Sequence, residues 1–205
     1  MLELDGITIK WLGHDSMKIK GDKVIYIDPW KLKDTEPADI VLITHDHYDH
    51  CSPEDVARVT KKGTVVVGAA DVGKKFKKED FRVVKAGDRV TINGVTVEAV
   101  PAYNTNKQFH PRASGWVGYI VTMKGKRIYH AGDTDHIPEM EGMKDIDVAL
   151  VPVSGTYVMT AEEAAQAVNK MRPKIAVPMH YGDIVGTKAD AERFKKLAQV
   201  EVRII

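Results

Sequence analysis

Short apolar runs rich in β-branched residues dominate the first half of the chain, over 7–12, 17–20, 24–28, 40–44 and 64–68. Several alternate apolar with polar positions, the period of a strand with one buried face. Gly21-Asp22 separates two of these runs and predicts a hairpin turn. Residues 89–92 and 95–100 flank Asn93-Gly94, a strong short-range hairpin signal. Residues 117–123 and 127–130 surround Lys124-Gly125-Lys126 in the same manner, and 175–177 predicts a later strand.

Helical signals punctuate the strands. Ser52-Pro53-Glu54-Asp55 supplies an N-cap, a proline at the first helical position and two acids in the first turn, so a helix should run from there to near Gly63. Thr160-Ala161-Glu162-Glu163 is a capping box. Ala161, Ala164, Ala165, Val168 and Met171 then recur at helical spacing until Arg172-Pro173 ends the pattern. A further helix is expected over 188–199 and a short one over 71–78. Strand–helix–strand alternation in both halves, with antiparallel hairpins between, favours a layered α/β sandwich over a purely parallel sheet. No linker, low-complexity segment or short-period repeat interrupts the chain. Its 205 residues suffice for one substantial core, so a single domain over 1–205 is expected.

Charge narrows the function classes. The net charge is +1, with no basic stripe and no acidic tail, so neither nucleic acid nor a membrane surface is an expected partner. Lys74, Lys75, Lys77 and Lys78 read as a solvated helix face. The single cysteine, Cys51, excludes an intramolecular disulfide framework and reads as a buried, inert thiol. Met1-Leu2-Glu3-Leu4-Asp5 has no basic n-region, and no run approaches about 18 apolar residues, so a soluble cytoplasmic protein is expected. Few Asn and Gln beside many charged residues are compatible with a thermophilic source.

The chemistry concentrates in Thr44-His45-Asp46-His47-Tyr48-Asp49-His50, directly after the apolar stretch Ile40-Val41-Leu42-Ile43. With only eight histidines in the chain, H-x-H-x-D-H would arise by chance in roughly one chain in a thousand of this length. Imidazole and carboxylate are ligands for zinc and similar divalent ions. His45 and His47 share one side of the chain; Asp49 and His50 lie where it turns into the next helix. One ion can sit on each pair, while Asp46 points outward and holds the loop. Gly132-Asp133-Thr134 follows a strand, and the two oxygens of Asp133 could bridge two ions. His180 in Val177-Pro178-Met179-His180 ends another strand and is a candidate ligand. Between them, His110 is the stronger donor, while Asn104 sits closer to its strand end. His14 in Trp11-Leu12-Gly13-His14 is a candidate proton carrier, extra ligand or substrate contact. His130 reads as a supporting or core histidine, and Asp135 and His136 as supporting the ligands from behind.

Together these positions resemble the metallo-β-lactamase superfamily over nearly the whole chain. Trp11-Leu12-Gly13-His14 further resembles its branch of metal-dependent hydrolases similar to ascorbate-6-phosphate lactonase. The resemblance implies a four-layer αββα sandwich. It implies that His45, His47 and His110 hold one ion, that Asp49, His50 and His180 hold the other, and that Asp133 bridges them. The chain departs from the family pattern at the third motif, where Asn104 takes the place expected for histidine and His110 comes late. Two divalent ions, zinc first and manganese, iron or nickel as substitutes, can lower the pKa of a shared water to about 7. The expected activity is hydrolysis of a small ester, lactone, amide or phosphodiester by a metal-bound hydroxide. Asp49 would ligate a metal and manage a proton, with His14, Tyr181, Tyr157 or Arg112 serving the developing oxyanion or anchoring a substrate anion. The competing readings are a nuclease or phosphodiesterase, a thiolester hydrolase similar to glyoxalase II, a diiron oxidoreductase and a non-catalytic metal-binding protein. A homo-oligomer is compatible with all of them.

Overall fold

A computed structural model, describing residues 1–33, 35–77 and 81–205, turns the apolar runs into two seven-stranded sheets. The first sheet carries β1 (Leu2–Leu4), β2 (Ile7–Gly13), β3 (Ser16–Lys20), β4 (Val24–Ile27), β5 (Ile40–Ile43), β6 (Val65–Gly68) and β7 (Phe81–Val83) side by side in chain order. β1 to β4 pair antiparallel; β5, β6 and β7 then continue parallel to β4. The second sheet repeats this plan. β8 (Arg89–Ile92), β9 (Val95–Pro101), β10 (Val117–Met123) and β11 (Lys126–His130) are antiparallel. β12 (Val148–Pro152), β13 (Ile175–Met179) and β14 (Glu201–Val202) follow in parallel. The chain is thus a topological repeat of two halves.

Burial explains the layering. β4 and β5 read VIYI and IVLI and are buried at every position, as parallel strands covered on both faces must be. Ile25, Ile27, Ile40 and Leu42 enter the core between the sheets. Their neighbours Val24, Tyr26, Val41 and Ile43 face the other way, against Val56 and Val59 of α1 (Pro53–Val59). On the far side, α2 (Ala161–Met171) and α3 (Lys188–Leu197) pack on each other and against β12 and β13. The result is the four-layer αββα sandwich.

The caps behave as their chemistry dictates. Thr160 and Glu163 exchange both capping-box bonds, and Arg172 closes α2 in the left-handed region just before Pro173. Thr187 and Asp190 form a second capping box on α3. α1 stops at Val59, short of Gly63. Thr60 leaves helical geometry, its hydroxyl donating to the Val56 carbonyl at 2.7 Å, and Lys61 N–H turns to the Thr64 hydroxyl at 2.9 Å. The expected helix over 71–78 is only a 3-10 turn, Val72–Lys75. Phe76 is already extended and stacks on Phe81, so the segment is too short for an α-helix. Lys74, Lys75 and Lys77 are exposed, and Lys78 lies outside the described residues. Among the described residues no helix is long and apolar enough to cross a membrane.

Candidate metal centre

Strand ends of both sheets converge on one edge of the sandwich. His14 follows β2, Asp28 follows β4, and Thr44 to His50 follow β5; Asp133 follows β11 and His180 follows β13. His110 reaches the same place on the loop after β9. His14, Asp28, His110, Tyr157 and His180 all have φ between 47° and 69°. Such backbone is uncommon outside glycine, costs roughly 1–3 kcal/mol per residue and gathers where a site is held in shape. Gly132, at φ 63°, serves the same convergence. A Cβ there would lie 3.1 Å from Thr44 Cβ and Cγ2, so glycine lets the Asp133 turn rest against the histidine loop.

Hydrogen bonds select the tautomer of four imidazoles. The Thr44 hydroxyl donates to Asp28 Oδ2 at 2.6 Å, so it accepts from His45 Nδ1 at 2.9 Å. His50 Nδ1 donates to the same Asp28 oxygen at 2.9 Å. His110 Nδ1 donates to the Tyr157 carbonyl at 3.1 Å. The Ser154 hydroxyl donates to the Thr156 carbonyl and accepts from His180 Nδ1 at 2.9 Å. Each ring therefore turns a bare Nε2 lone pair towards the same space, the arrangement that metal ligation requires.

The donors form two groups. His45 Nε2 and His110 Nε2 lie 3.1 and 3.2 Å from His47 Nδ1. Nitrogens bound at about 2.0–2.1 Å to one tetrahedral ion stand about 3.3–3.4 Å apart, so this spacing fits one ion. His14, His50 and His180 form the second group, with donor atoms all within 4.8 Å of one another. Asp49 Oδ2 lies beside it, 3.1 Å from His14 Nε2 and 3.9 Å from His50 Nε2. Asp133 stands between the groups. Its Oδ2 is 3.2 Å from His110 Nε2, 3.3 Å from His180 Nε2 and 3.9 Å from His45 Nε2, while Oδ1 is 3.4 Å from His50 Nε2. His50 Nε2 and Asp133 Oδ1 are buried without a hydrogen-bond partner. Unsatisfied polar atoms of this kind are costly unless something binds them.

Burial keeps His45, His50 and His110 neutral. Burial, reinforced by neighbouring imidazoles, holds His45 well below the ordinary imidazole range, and burial does the same to His50. Burial brings His110 down to about 4. Burial pushes Asp133 up to about 8 and Asp28 up to about 6. Burial also acts to raise Asp49, but the hydrogen bonds from His14 and from the Asp49 backbone outweigh it and hold this carboxyl below its usual range.

Three supporting acids, Asp28, Asp183 and Asp15, carry no signal in the sequence. Asp28 braces a histidine of each group. Asp183 accepts from His14 N–H at 3.0 Å. Asp15 is buried with neither carboxyl oxygen hydrogen-bonded, 3.9 Å from His50 Nδ1. Each is a lone acid at a strand end or loop tip, without a local pattern to mark it. His130 has both nitrogens committed, accepting from Gly132 N–H and donating to the Asp15 carbonyl. Asn104 lies beneath His110 and donates to the Phe109 and Tyr157 carbonyls. Asp135 receives the Thr105 N–H at 2.7 Å and pairs with Lys107. His136 Nε2 lies 3.8 Å from Glu141. The Asp46 carbonyl accepts from Lys75. Burial pushes the Cys51 thiol up to about 12, leaving it an unreactive part of the outer core.

The donors open into a cavity of about 260 Å³. His14, His47, Asp49, His110, Asp133 and His180 form its floor, beneath Tyr48, Phe109, Tyr157, Ile184 and Val185. Tyr181 does not line it: the ring is buried 4.7 Å from that of Trp11. Arg112 is exposed, paired with Glu139 at 3.0 Å and stacked over Tyr103, also away from the cavity. A wider depression of about 550 Å³ beside Asp71 and Asp88 carries no converging set of donors among the described residues.

Comparison with known proteins agrees with this geometry. A family model described as the beta-lactamase superfamily domain matches residues 8–180. A metal-dependent hydrolase of Thermoplasma acidophilum is 34% identical over 209 residues, covering 95% of this chain and 92% of the relative. The crystal structure of a candidate metal-dependent hydrolase from Parabacteroides distasonis superposes with a TM-score of 0.87 at 40% identity, over 97% of this chain and 92% of that one. A candidate Zn-dependent hydrolase of the metallo-β-lactamase superfamily from Thermotoga maritima superposes at 0.66 with 26% identity, over 94% and 86%.

Proposed function

From a chain that belongs to the metallo-β-lactamase superfamily and is a metal-dependent hydrolase, we infer a two-ion site that hydrolyses a small ester, lactone, amide or phosphodiester. His45, His47 and His110 would hold one ion, Asp49, His50 and His180 the other, with Asp133 between them. The observation that carries this reading is the set of four imidazoles whose outer nitrogens are hydrogen-bonded and whose bare Nε2 atoms surround Asp133. Zinc suits the donor set, and manganese, iron and nickel also accept it. When bound, the ions supply an activated water and polarise the scissile carbonyl or phosphoryl oxygen.

The chain's own residues do the rest. Asp49 accepts from His14 Nε2 at the cavity floor, so this pair can hold a proton and return it to the leaving group. Asp183 fixes His14 from its backbone side. Tyr157, which lines the cavity, takes the oxyanion role in preference to Tyr181 and Arg112. Among the described residues no Lys or Arg lines the cavity, which offers a nucleic acid strand no cationic track. The reading is therefore an enzyme acting on a small molecule.

Metal analysis combined with a chromogenic panel tests it. The loaded protein should turn over at least one ester, lactone, amide or phosphodiester, lose that activity on chelation and regain it with zinc or manganese. Tightly held metal with no turnover across the panel would leave a metal-binding protein instead.

A further inference from the structure

We propose that the cavity selects a substrate whose non-reacting part is uncharged and apolar, and rejects substrates that carry a phosphate or carboxylate there. The reaction assigned to such a substrate rests on the hydrolase reading; its recognition does not.

The first ground is where exposed apolar side chains fall. Seven large hydrophobic residues are exposed among the described residues, and four of them, Tyr48, Phe109, Tyr157 and Ile184, line this one cavity. Scattered exposed hydrophobics are ordinary, but their concentration around one opening marks a binding surface. The four come from separate segments. Phe109 and Tyr157 meet edge to face with ring centroids 4.7 Å apart.

The second ground is charge. The formal charges that the chain brings to the cavity are the carboxylates Asp49 and Asp133. Basic groups on the neighbouring loops are engaged elsewhere: Arg112 with Glu139, Lys107 with Asp135, Lys75 with the Asp46 carbonyl, and Lys31 over the Trp30 ring at 4.0 Å. Away from the ions on the floor, an anionic tail would lose its hydration against an aromatic and aliphatic wall and meet no cationic side chain.

The third ground is that the wall is tied to the donors. The Tyr157 carbonyl receives both His110 Nδ1 and Asn104 Nδ2, and Phe109 immediately precedes His110. Ile184 and Val185 lie on a turn between Gly182 (φ 84°) and Gly186 (φ 67°), anchored to His14 through Asp183. The apolar wall thus has a fixed position over the reacting centre.

Calorimetric binding to the metal-loaded full chain provides the test, with benzylacetone as an uncleavable neutral ketone and its para-carboxylated derivative as the anionic counterpart. Benzylacetone should bind at least tenfold more tightly than the carboxylate. Phe109→Ala should weaken it roughly tenfold, and Phe109→Leu should restore much of the loss. Circular dichroism of each variant establishes that it is folded. Equal or tighter binding of the carboxylate, or a folded Phe109→Ala that binds benzylacetone as well as the parent, would overturn the proposal. So would sedimentation showing that Phe109→Ala splits a dimer while benzylacetone affinity stays unchanged, because the rim would then be a contact between copies. Selective benzylacetone binding without turnover of any ester would support this inference and count against the hydrolase reading alone.

Discussion

Replacing Asp28 by Asn should weaken metal binding without unfolding the protein. Asp28 Oδ1 accepts from Thr44 N–H at 2.8 Å, and Oδ2 accepts from the Thr44 hydroxyl at 2.6 Å and His50 Nδ1 at 2.9 Å. Through Thr44 it also sets His45. An amide has one oxygen and one NH2. With its oxygen towards Thr44 N–H, the NH2 faces His50 Nδ1 and drives the ring proton to Nε2, the atom that must face the metal. Flipped, the NH2 opposes Thr44 N–H in a buried place. Either way an orienting hydrogen bond to a charged group is lost, worth about 1.5–3 kcal/mol. That agrees with the 10–100-fold, or about 1.4–2.7 kcal/mol, expected when a residue supporting a metal ligand is removed.

Metal-free stability should move differently. Burial raises Asp28 from 3.8 to about 6, so the folded state binds this proton more tightly than the unfolded chain. The resulting penalty is absent below about pH 4, grows between pH 4 and 6, and reaches about 3 kcal/mol above pH 6. Asn removes it, and the loss of one or two hydrogen bonds at about 1 kcal/mol each offsets part of the gain. Urea unfolding of the metal-free protein at pH 8 should therefore give a stability about 1–2 kcal/mol above the parent's. Chelator competition should meanwhile show zinc bound 10–100-fold more weakly. Zinc affinity within twofold of the parent would refute the orienting role. A parallel loss of metal-free stability would show a general folding defect instead.

Gly132→Ala places a Cβ at φ 63° and 3.1 Å from Thr44, so chemical denaturation should show a loss of about 2–3 kcal/mol; a loss under about 0.5 kcal/mol would contradict that crowding. Arg112→Ala should leave kcat/KM within about twofold, since the guanidinium serves Glu139 and Tyr103 rather than the cavity; a tenfold drop would return it to the site. Metal loading at pH 7 should release protons, because burial keeps Asp133 protonated up to about pH 8. Calorimetry in buffers of different ionisation heat should find about one proton fewer released by Asp133→Asn at pH 7. That difference should fade above pH 8, where the metal-free carboxyl has already ionised, and equal release at pH 7 would count against a protonated Asp133.

What could be read from the sequence was whatever repeats locally. Thr44 to His50 declares itself because its donors are consecutive and follow an obvious buried strand. Asp133 and His180 could be found as polar residues at strand ends. Asp28 closes a predicted strand and Asp15 adjoins His14, yet nothing local marks either, because their partners arrive from distant segments and exist only once the sheets have folded. The same holds for the tautomer relay through Thr44 and Ser154. β12, reading VALVP, is a continuous apolar run with no alternation and a terminal proline, so periodicity cannot distinguish it from a helix segment. β14 is two residues long and β1 three, too short for any period to show. The twofold repeat of topology is a matter of strand order and direction, which residue spacing does not encode.

The most direct test of the account is anomalous diffraction from crystals of the untreated protein, with data collected at the absorption edges of zinc, manganese and iron. The account predicts two metal peaks, one among His45, His47 and His110 and one among Asp49, His50 and His180, with an Asp133 oxygen facing each. Crystals reconstituted with all three metals in turn, yet showing no peak against His45, His47 or His50, would contradict it.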